Sequence, residues 1–196
     1  MKEKWLVVID MQNDFIDGAL GSKEAQAIVP YVADKIRNFK GKLIFTQDTH
    51  FMEDNSMSHS YENTLEGKLL PVPHCLVDGN GKSTWGHEIN EQILEAAKQN
   101  GEWAQTVGKL TFGSFALAEE IKRRSQDYGI ESIEICGLCT DICVVSNALI
   151  LRAMFPNVPM IVDARACAGV TPAKHGAALE VMRSCQIEVI LDETKF

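Results

Sequence analysis

Short runs of apolar residues alternate along the chain with longer segments of helical periodicity. Apolar runs without a polar face are typical of strands buried on both sides of a sheet. They predict six strands, the third the weakest, at Trp5–Asp10, Lys42–Gln47, Glu102–Val107, Ile130–Cys136, Val158–Asp163 and Ile187–Leu191. Apolar positions three and four apart predict five helices, at Lys23–Phe39, Gly86–Lys98, Ser114 to about Tyr128, Thr140 or Asp141 through Leu151, and Thr171–Cys185.

Two of these helices carry a proline near the predicted start. Pro30 suits a first helical turn, so we expect the first helix to begin near Ala27. Thr171 is followed directly by Pro172, the pattern of an N-cap residue and a proline at the first helical position. The proline positions therefore predict where both helices start.

The order of the elements predicts the fold class. Strands that alternate with helices form a mainly parallel sheet with helices on both faces. We expect an α/β three-layer sandwich with roughly six strands, built as a single domain over residues 1–196. Residues 49–84 show no clear period, and long irregular segments inside a compact domain are usually functional. We therefore expect a functional loop there.

Charge and cysteine content restrict the class of partner and the compartment. A formal net charge of -8 argues against nucleic acid and anionic membrane surfaces as partners. No apolar run is long enough to span a bilayer, and the run after Lys2 and Lys4 is too short for an export signal. Six cysteines without such a signal suit a reducing compartment, so we predict a cytoplasmic location.

The segment Ile133–Val145 contains the first candidate for chemistry. Its strand ends at Gly137, and Thr140 or Asp141 is a plausible N-cap for the helix that follows. Cys143 would then lie in the first helical turn, where the helix dipole makes a thiol lose its proton more easily. We interpret Cys143 as a nucleophile; the alternative is a small core residue, as most free cysteines are.

Reactive side chains also follow the other predicted strands. Asp10 follows the first strand, Asp48 and His50 follow the second, and Lys109 follows the third. The carboxyl ends of parallel strands meet at one edge, where ligands bind. There Lys109 can stabilise a Cys143 thiolate and Asp10 can move the proton. Taken alone, Asp10 could be a loop-capping carboxylate and Lys109 a surface lysine.

A second cluster of polar residues suits a metal ion. Asp48 and His50 are followed by His59, Glu66 and His74, and carboxylate and imidazole ligands suit zinc, iron or manganese. The alternative is that these are polar loop residues beside water. Cys136 and Cys139 also fit the redox pattern Cys-x-x-Cys, but Cys136 falls inside the buried strand, which disfavours a redox role.

Several motifs together resemble those of isochorismatase-like cysteine hydrolases and, within them, the nicotinamidase family. They extend from residue 6 to about 145, and a later segment fits as well, so the resemblance covers nearly the whole chain. The motifs are Val-Ile-Asp10-Met-Gln-Asn-Asp-Phe, Gln-Asp48-Thr-His50, Pro-Val-Pro-His74-Cys, Gly-Lys109 with Phe-Gly-Ser-Phe downstream, Gly-Leu-Cys139-Thr-Asp-Ile-Cys143-Val, and Asp163-Ala-Arg-Ala-Cys-Ala-Gly-Val.

The resemblance implies a complete set of site residues. It implies a catalytic triad of Asp10, Lys109 and Cys143, and an oxyanion hole formed by the backbone N–H groups of Cys139 and Cys143, with a cis peptide bond between Leu138 and Cys139. It also implies one divalent metal ion, zinc in the first place and iron or manganese as alternatives. The implied metal ligands are Asp48, His50 and His74, with Glu66 as the fourth in preference to His59 or water, and the implied pocket walls are Phe15, Leu20 and Phe112.

The implied reaction is the hydrolysis of nicotinamide to nicotinate and ammonia through a cysteine thioester, with the pyridine ring held at the metal. The partner would be a small-molecule amide, and the resemblance leaves open whether the protein forms a homo-oligomer. Three alternatives remain: a metal-independent amidohydrolase acting on a carbamoyl or ureido substrate, a non-catalytic metal-binding homologue, and a redox dithiol protein.

Overall fold

The computed structural model describes residues 2–52, 60–102, 104–126 and 129–191. Its main feature is a six-stranded sheet in the order β5-β2-β1-β6-β7-β8, in which every pair of neighbouring strands is parallel. A second, two-stranded sheet pairs β3 with β4. The strands are β1 Glu3–Ile9, β2 Lys42–Asp48, β3 His50–Phe51, β4 Leu76–Val77, β5 Gln105–Lys109, β6 Ile130–Leu138, β7 Met160–Ala168 and β8 Glu188–Ile190.

The helices surround the sheet. They are α1 Asn13–Ile16, α2 Lys23–Asn38, α3 Leu65–Leu69, α4 Glu91–Asn100, α5 Phe115–Arg124, α6 Val145–Met154 and α7 Pro172–Ser184. From β1 the chain first adds β2 and β5 on one side and then β6, β7 and β8 on the other. Because such crossovers are right-handed, the reversal puts α2 and α4 on one face and α5, α6 and α7 on the other. The predicted α/β class, with a mainly parallel six-stranded sheet, is confirmed.

The core lies on both faces of the central strands. In β1, residues Trp5 to Ile9 are all fully buried, which is why that run contains no polar residue. The half-buried ammonium of Lys35 connects α2 to the sheet, with Nζ 2.9 Å from Glu134 Oε2 on β6 and 3.1 Å from Asp163 Oδ2 on β7. Within the described residues, no helix combines the length and apolar character needed to cross a bilayer.

Several boundaries differ from the prediction. Helix α2 begins at Lys23, not near Ala27, because the Ser22 side chain accepts a hydrogen bond from the Ala25 N–H; Pro30 therefore lies inside the helix. Strand β7 continues past Asp163 to Ala168 through a shift in its register with β6. The helix expected from Gly86 begins at Glu91, where the Asn90 side chain caps it.

The segment expected to be one long loop contains short elements in its described part. β3, a 3-10 turn at Tyr61–Asn63, α3 and β4 lie between residues 50 and 77. None of them exceeds five residues, so none has a sequence period. A further short helix, α1, was also not predicted. The expected functional role of residues 49–84 stays a prediction.

Candidate active site and metal centre

The carboxyl ends of four strands bring the predicted triad together. Asp10 directly follows β1, and the turn that carries Cys143 follows β6. Asp48 and Lys109 are the last residues of β2 and β5 and lie opposite each other in the register of that strand pair. Four residues that are distant in sequence therefore meet at one edge of the sheet.

Lys109 is the centre of this group. Its Nζ lies 2.7 Å from Asp10 Oδ2, 2.9 Å from Asp48 Oδ1 and 3.4 Å from Cys143 Sγ. All four side chains are buried, none more than 5% exposed. The Thr46 hydroxyl donates to Asp10 Oδ1 at 2.6 Å and accepts from the Asp10 N–H, so the orientation of Asp10 is fixed from both ends.

The electrostatics of the group favour the neutral form of the Cys143 thiol. Burial, and then the negative charge of Asp10, raise the pKa of the Cys143 thiol well above its usual value; Lys109 opposes this only in part. Burial also raises the pKa of Asp10 against the opposing charge of Lys109. Burial therefore opposes the acidifying effect that we expect from the start of the helix.

The backbone around Cys143 has an unusual conformation. The peptide bond between Leu138 and Cys139 is cis, as the resemblance implied, and Thr140–Val144 forms a π-helical turn with Cys139 in the N-cap position. Neither Thr140 nor Asp141 is the N-cap; Asp141 Oδ1 instead accepts from the N–H of Val170. At Gly137, with φ 122°, a Cβ would lie 2.1 Å from the Ile9 carbonyl oxygen, so this close approach of β1 and β6 requires glycine.

The predicted metal ligands form a second group next to the first. Asp48 Oδ2 lies 3.0 Å from His50 Nε2 and 3.5 Å from His74 Nε2. Glu66 Oε1 lies 3.8 Å and 3.7 Å from the same two nitrogens. His74 Nδ1 is 2.8 Å from the Val72 carbonyl, which leaves Nε2 as the inward-facing atom. Asp48 thus belongs to both groups, with Oδ1 on Lys109 and Oδ2 among the histidines.

These spacings fit one small cation. Ligand atoms about 2.0–2.2 Å from a tetrahedral zinc ion lie about 3.4 Å from one another, and all four ligand atoms here are within 4.8 Å of each other. Two imidazole nitrogens and two carboxylate oxygens suit zinc, iron or manganese. Asp10 and Asp48 share one ammonium group, so the site also carries excess negative charge. His59, the other candidate for fourth ligand, lies outside the described residues.

Both groups open into one cavity of about 440 Å³. Cys143, Asp48, Glu66 and His74 line its polar part. The three residues expected as pocket walls, Phe15, Leu20 and Phe112, also line it, together with Thr64, Leu65, Leu69, Leu70, Leu110, Thr111 and Ile142. A small molecule in this cavity would touch the thiol and the metal ligands at once.

Three supporting residues were not found from the sequence. Gln12 donates to the carbonyl of Asp48 at 2.9 Å and accepts from the Asp48 N–H at 2.7 Å. The ring of Tyr61 lies edge-on against those of His50 and His74, with centroids 4.8 and 5.2 Å away, and Thr46 holds Asp10 as described above. For Gln12, its position two residues after Asp10 could have indicated a role in the site. Nothing in the sequence pattern indicated such a role for Thr46 or Tyr61.

Comparisons with known proteins show the family and support the fold. The isochorismatase domain model matches residues 4–194. A nicotinamidase/pyrazinamidase of Mycobacterium tuberculosis is 24% identical over 204 residues, covering 94% of this chain and 97% of the relative. A solved structure of a nicotinamidase/pyrazinamidase from Bacillus subtilis has a TM-score of 0.76 at 25% identity and covers 97% of this chain and 100% of its own.

A pyrazinamidase of Pyrococcus horikoshii, solved in complex with zinc, shares the fold at a TM-score of 0.68 and 24% identity, covering 97% of this chain and 99% of its own. The family model covers nearly the whole described sheet and every candidate site residue. The chain belongs to the isochorismatase family of hydrolases.

Proposed function

We propose that this chain is an amidohydrolase that converts nicotinamide and water to nicotinate and ammonia. One observation carries the proposal: Asp10, Lys109 and Cys143 meet within hydrogen-bonding distance beside a cavity that is lined by three of the four metal-type ligands, Asp48, Glu66 and His74. The names of the nicotinamidase relatives support this substrate. A cytoplasmic location, a single domain and zinc as the metal remain predictions.

In the first half of the reaction, Asp10 removes the Cys143 proton as the sulfur attacks the carboxamide carbon. Lys109 stabilises the developing thiolate, with Nζ already 3.4 Å from the sulfur. The backbone N–H groups of Cys139 and Cys143 would hold the oxyanion of the tetrahedral intermediate. Asp10 then returns the proton to nitrogen, the C–N bond breaks, and ammonia leaves a thioester on Cys143.

In the second half, water attacks the thioester carbon while Asp10 accepts a proton from it. The C–S bond breaks, nicotinate is released, and Asp10 hands its proton back to Cys143. A carboxylate that twice takes and twice returns a proton needs a pKa above that of a free aspartate, which is the direction in which burial shifts Asp10.

Asp48, His50, His74 and Glu66 would hold a divalent metal ion at the side of the cavity. Such an ion supplies a Lewis-acid contact for the pyridine nitrogen and so orients the ring. Phe15, Leu20 and Phe112 would enclose the ring, since all three line the same cavity. Positioning of this kind places the carboxamide carbon next to Cys143.

The test is ammonia release from nicotinamide by the purified protein, together with its metal content. We expect turnover in the wild type, none in Cys143→Ala, and normal turnover in Cys136→Ala, which removes another buried thiol of the same strand-turn segment. Mass spectrometry of a quenched reaction should find an acyl group on Cys143. Normal ammonia release by Cys143→Ala would overturn the mechanism.

The same experiment separates the remaining alternatives. A protein that contains no bound metal, keeps full activity in a chelator and prefers ureido over pyridine amides would be the metal-independent amidohydrolase. A protein that binds metal but releases no ammonia from any amide would be the non-catalytic homologue.

A further inference from the structure

Apolar side chains are exposed around the mouth of the candidate active-site cavity. Leu65 and Leu69 of α3 are 74% and 77% exposed, and Leu110 and Phe112, in the segment after β5, are 64% and 43% exposed. Leu65 and Leu69 are four residues apart and so lie on the same face of α3. Exposed apolar residues that cluster in this way usually mark a binding site.

All four residues line the same cavity as Cys143 and three of the metal-type ligands, Asp48, Glu66 and His74. The charged and titratable members of that lining are Asp48, Glu66, His74 and Cys143, three of them at most 5% exposed. The cavity is therefore polar at its buried end and apolar at its open end. A ligand with the same division would match it: an amide on a ring at the buried end and an apolar group at the mouth.

The size of the cavity points the same way. Its volume of about 440 Å³ falls within the range of about 300–1,000 Å³ that is typical of sites for drug-sized ligands. An unsubstituted single-ring amide in contact with Cys143 and the metal ligands, and enclosed by Phe112, would leave Leu65, Leu69 and Leu110 in water.

We propose that the mouth residues Leu65, Leu69 and Leu110 form a subsite for an apolar substituent on the substrate ring. The substrate class is then a heteroaromatic carboxamide that carries an alkyl or similar apolar group away from the carboxamide. This inference rests on the proposed amidohydrolase function and narrows its substrate. The substituent gains affinity because it and the leucines leave water together.

The test compares nicotinamide with ring-alkylated nicotinamides, methyl, ethyl and propyl, in two series substituted at carbon 5 or carbon 6. We expect kcat/KM to rise about fourfold per buried methylene in the series that points towards the mouth. In the Leu65→Ser/Leu69→Ser double variant, and separately in Leu110→Ser, each added methylene should leave kcat/KM nearly unchanged. Circular dichroism confirms folding of these surface variants.

Leu94→Ser is the matched control. Leu94 is also exposed, at 41%, but it lies on α4 and does not line the cavity. This variant should keep the wild-type rise per methylene. The same loss in Leu94→Ser as in the mouth variants would contradict a local subsite.

The remaining outcomes are decisive. Turnover of nicotinamide with no gain in either alkyl series would overturn the subsite and leave the amidohydrolase intact. No turnover of nicotinamide or of any derivative would overturn both. Light scattering that finds a dimer in the wild type and a monomer in the double variant would assign the leucines to a contact between two copies instead.

Discussion

Lys109 contacts every reactive group of the triad, and it is the reason why two carboxylates can be buried together. Its ammonium lies within 3 Å of both Asp10 and Asp48, and the pKa of Lys109 rises well above its usual value because those negative charges outweigh the effect of burial. The Lys109 ammonium is therefore a fixed positive charge, and in the proposed reaction the proton that moves is the one that Asp10 and Cys143 exchange.

Asp10→Asn should speed alkylation of Cys143 and slow amide hydrolysis. The charge of Asp10 helps to raise the pKa of the thiol, so its removal should lower that pKa and speed alkylation of Cys143 by iodoacetamide near neutral pH. Amide hydrolysis should fall by about 10²–10⁴-fold because the proton carrier is lost. Peptide mass spectrometry measures the first effect and ammonia release the second.

Thr46→Val is the control for this variant, since it removes a hydrogen bond to Asp10 but leaves the charge. Its Cys143 should stay as slow to alkylate as in the wild type. Equal alkylation rates in Asp10→Asn and the wild type would show that the carboxylate does not control the thiol.

At the scale of elements, the strands were predictable and the short segments between them were not. The apolar run Trp5–Ile9 predicts a buried strand from its own residues alone. Because the run ends at Ile9, it also predicted correctly that Asp10 lies at the edge of the sheet. Helix α3 and strands β3 and β4 are held by contacts distant in sequence. For example, the Asp14 carboxylate accepts from the Cys75 N–H at 2.7 Å, a contact that no local pattern reveals.

The turn that carries Cys143 is another element fixed from a distance. Thr140 Oγ1 lies 2.8 Å from His175 Nδ1 on α7, and Thr140 is fully buried. Val170, just before that helix, donates its N–H to Asp141. Two adjacent residues of the turn are thus tied to the start of α7, and the position of Cys143 depends on this link.

Breaking the Thr140–His175 hydrogen bond should therefore lower kcat with little change in KM. A small displacement of the nucleophile costs rate, whereas the ring pocket stays intact, so we expect about a 10- to 100-fold loss in Thr140→Val and in His175→Ala. His175→Asn, whose amide can reach the position of the imidazole Nδ1, should recover most of kcat. Steady-state kinetics test this, and a parallel rise in KM in all three variants would contradict a positioning role.

At the scale of the whole molecule, the candidate metal centre joins four separate segments of the chain. Asp48 ends β2, His50 begins β3, Glu66 lies on α3, and His74 precedes β4. Sequence spacing gave the ligand types, but their convergence depends on how residues 60–77 fold back over the sheet edge. A metal ion bound by all four residues would hold residues 60–77 against the central sheet.

Metal binding should therefore stabilise the protein. Free zinc at 100 times its Kd adds about 2.7 kcal/mol to the free energy of unfolding, which for a chain of this size raises Tm by about 5–10 °C. A chelator should reverse that rise and speed amide hydrogen exchange over residues 60–77. Glu66→Gln should weaken the zinc effect, whereas Glu62→Gln, an exposed carboxylate in the preceding 3-10 turn, should leave it intact. Identical melting and exchange with zinc and with chelator would show that these four residues do not hold a metal, and nicotinamide would then need another means of orientation.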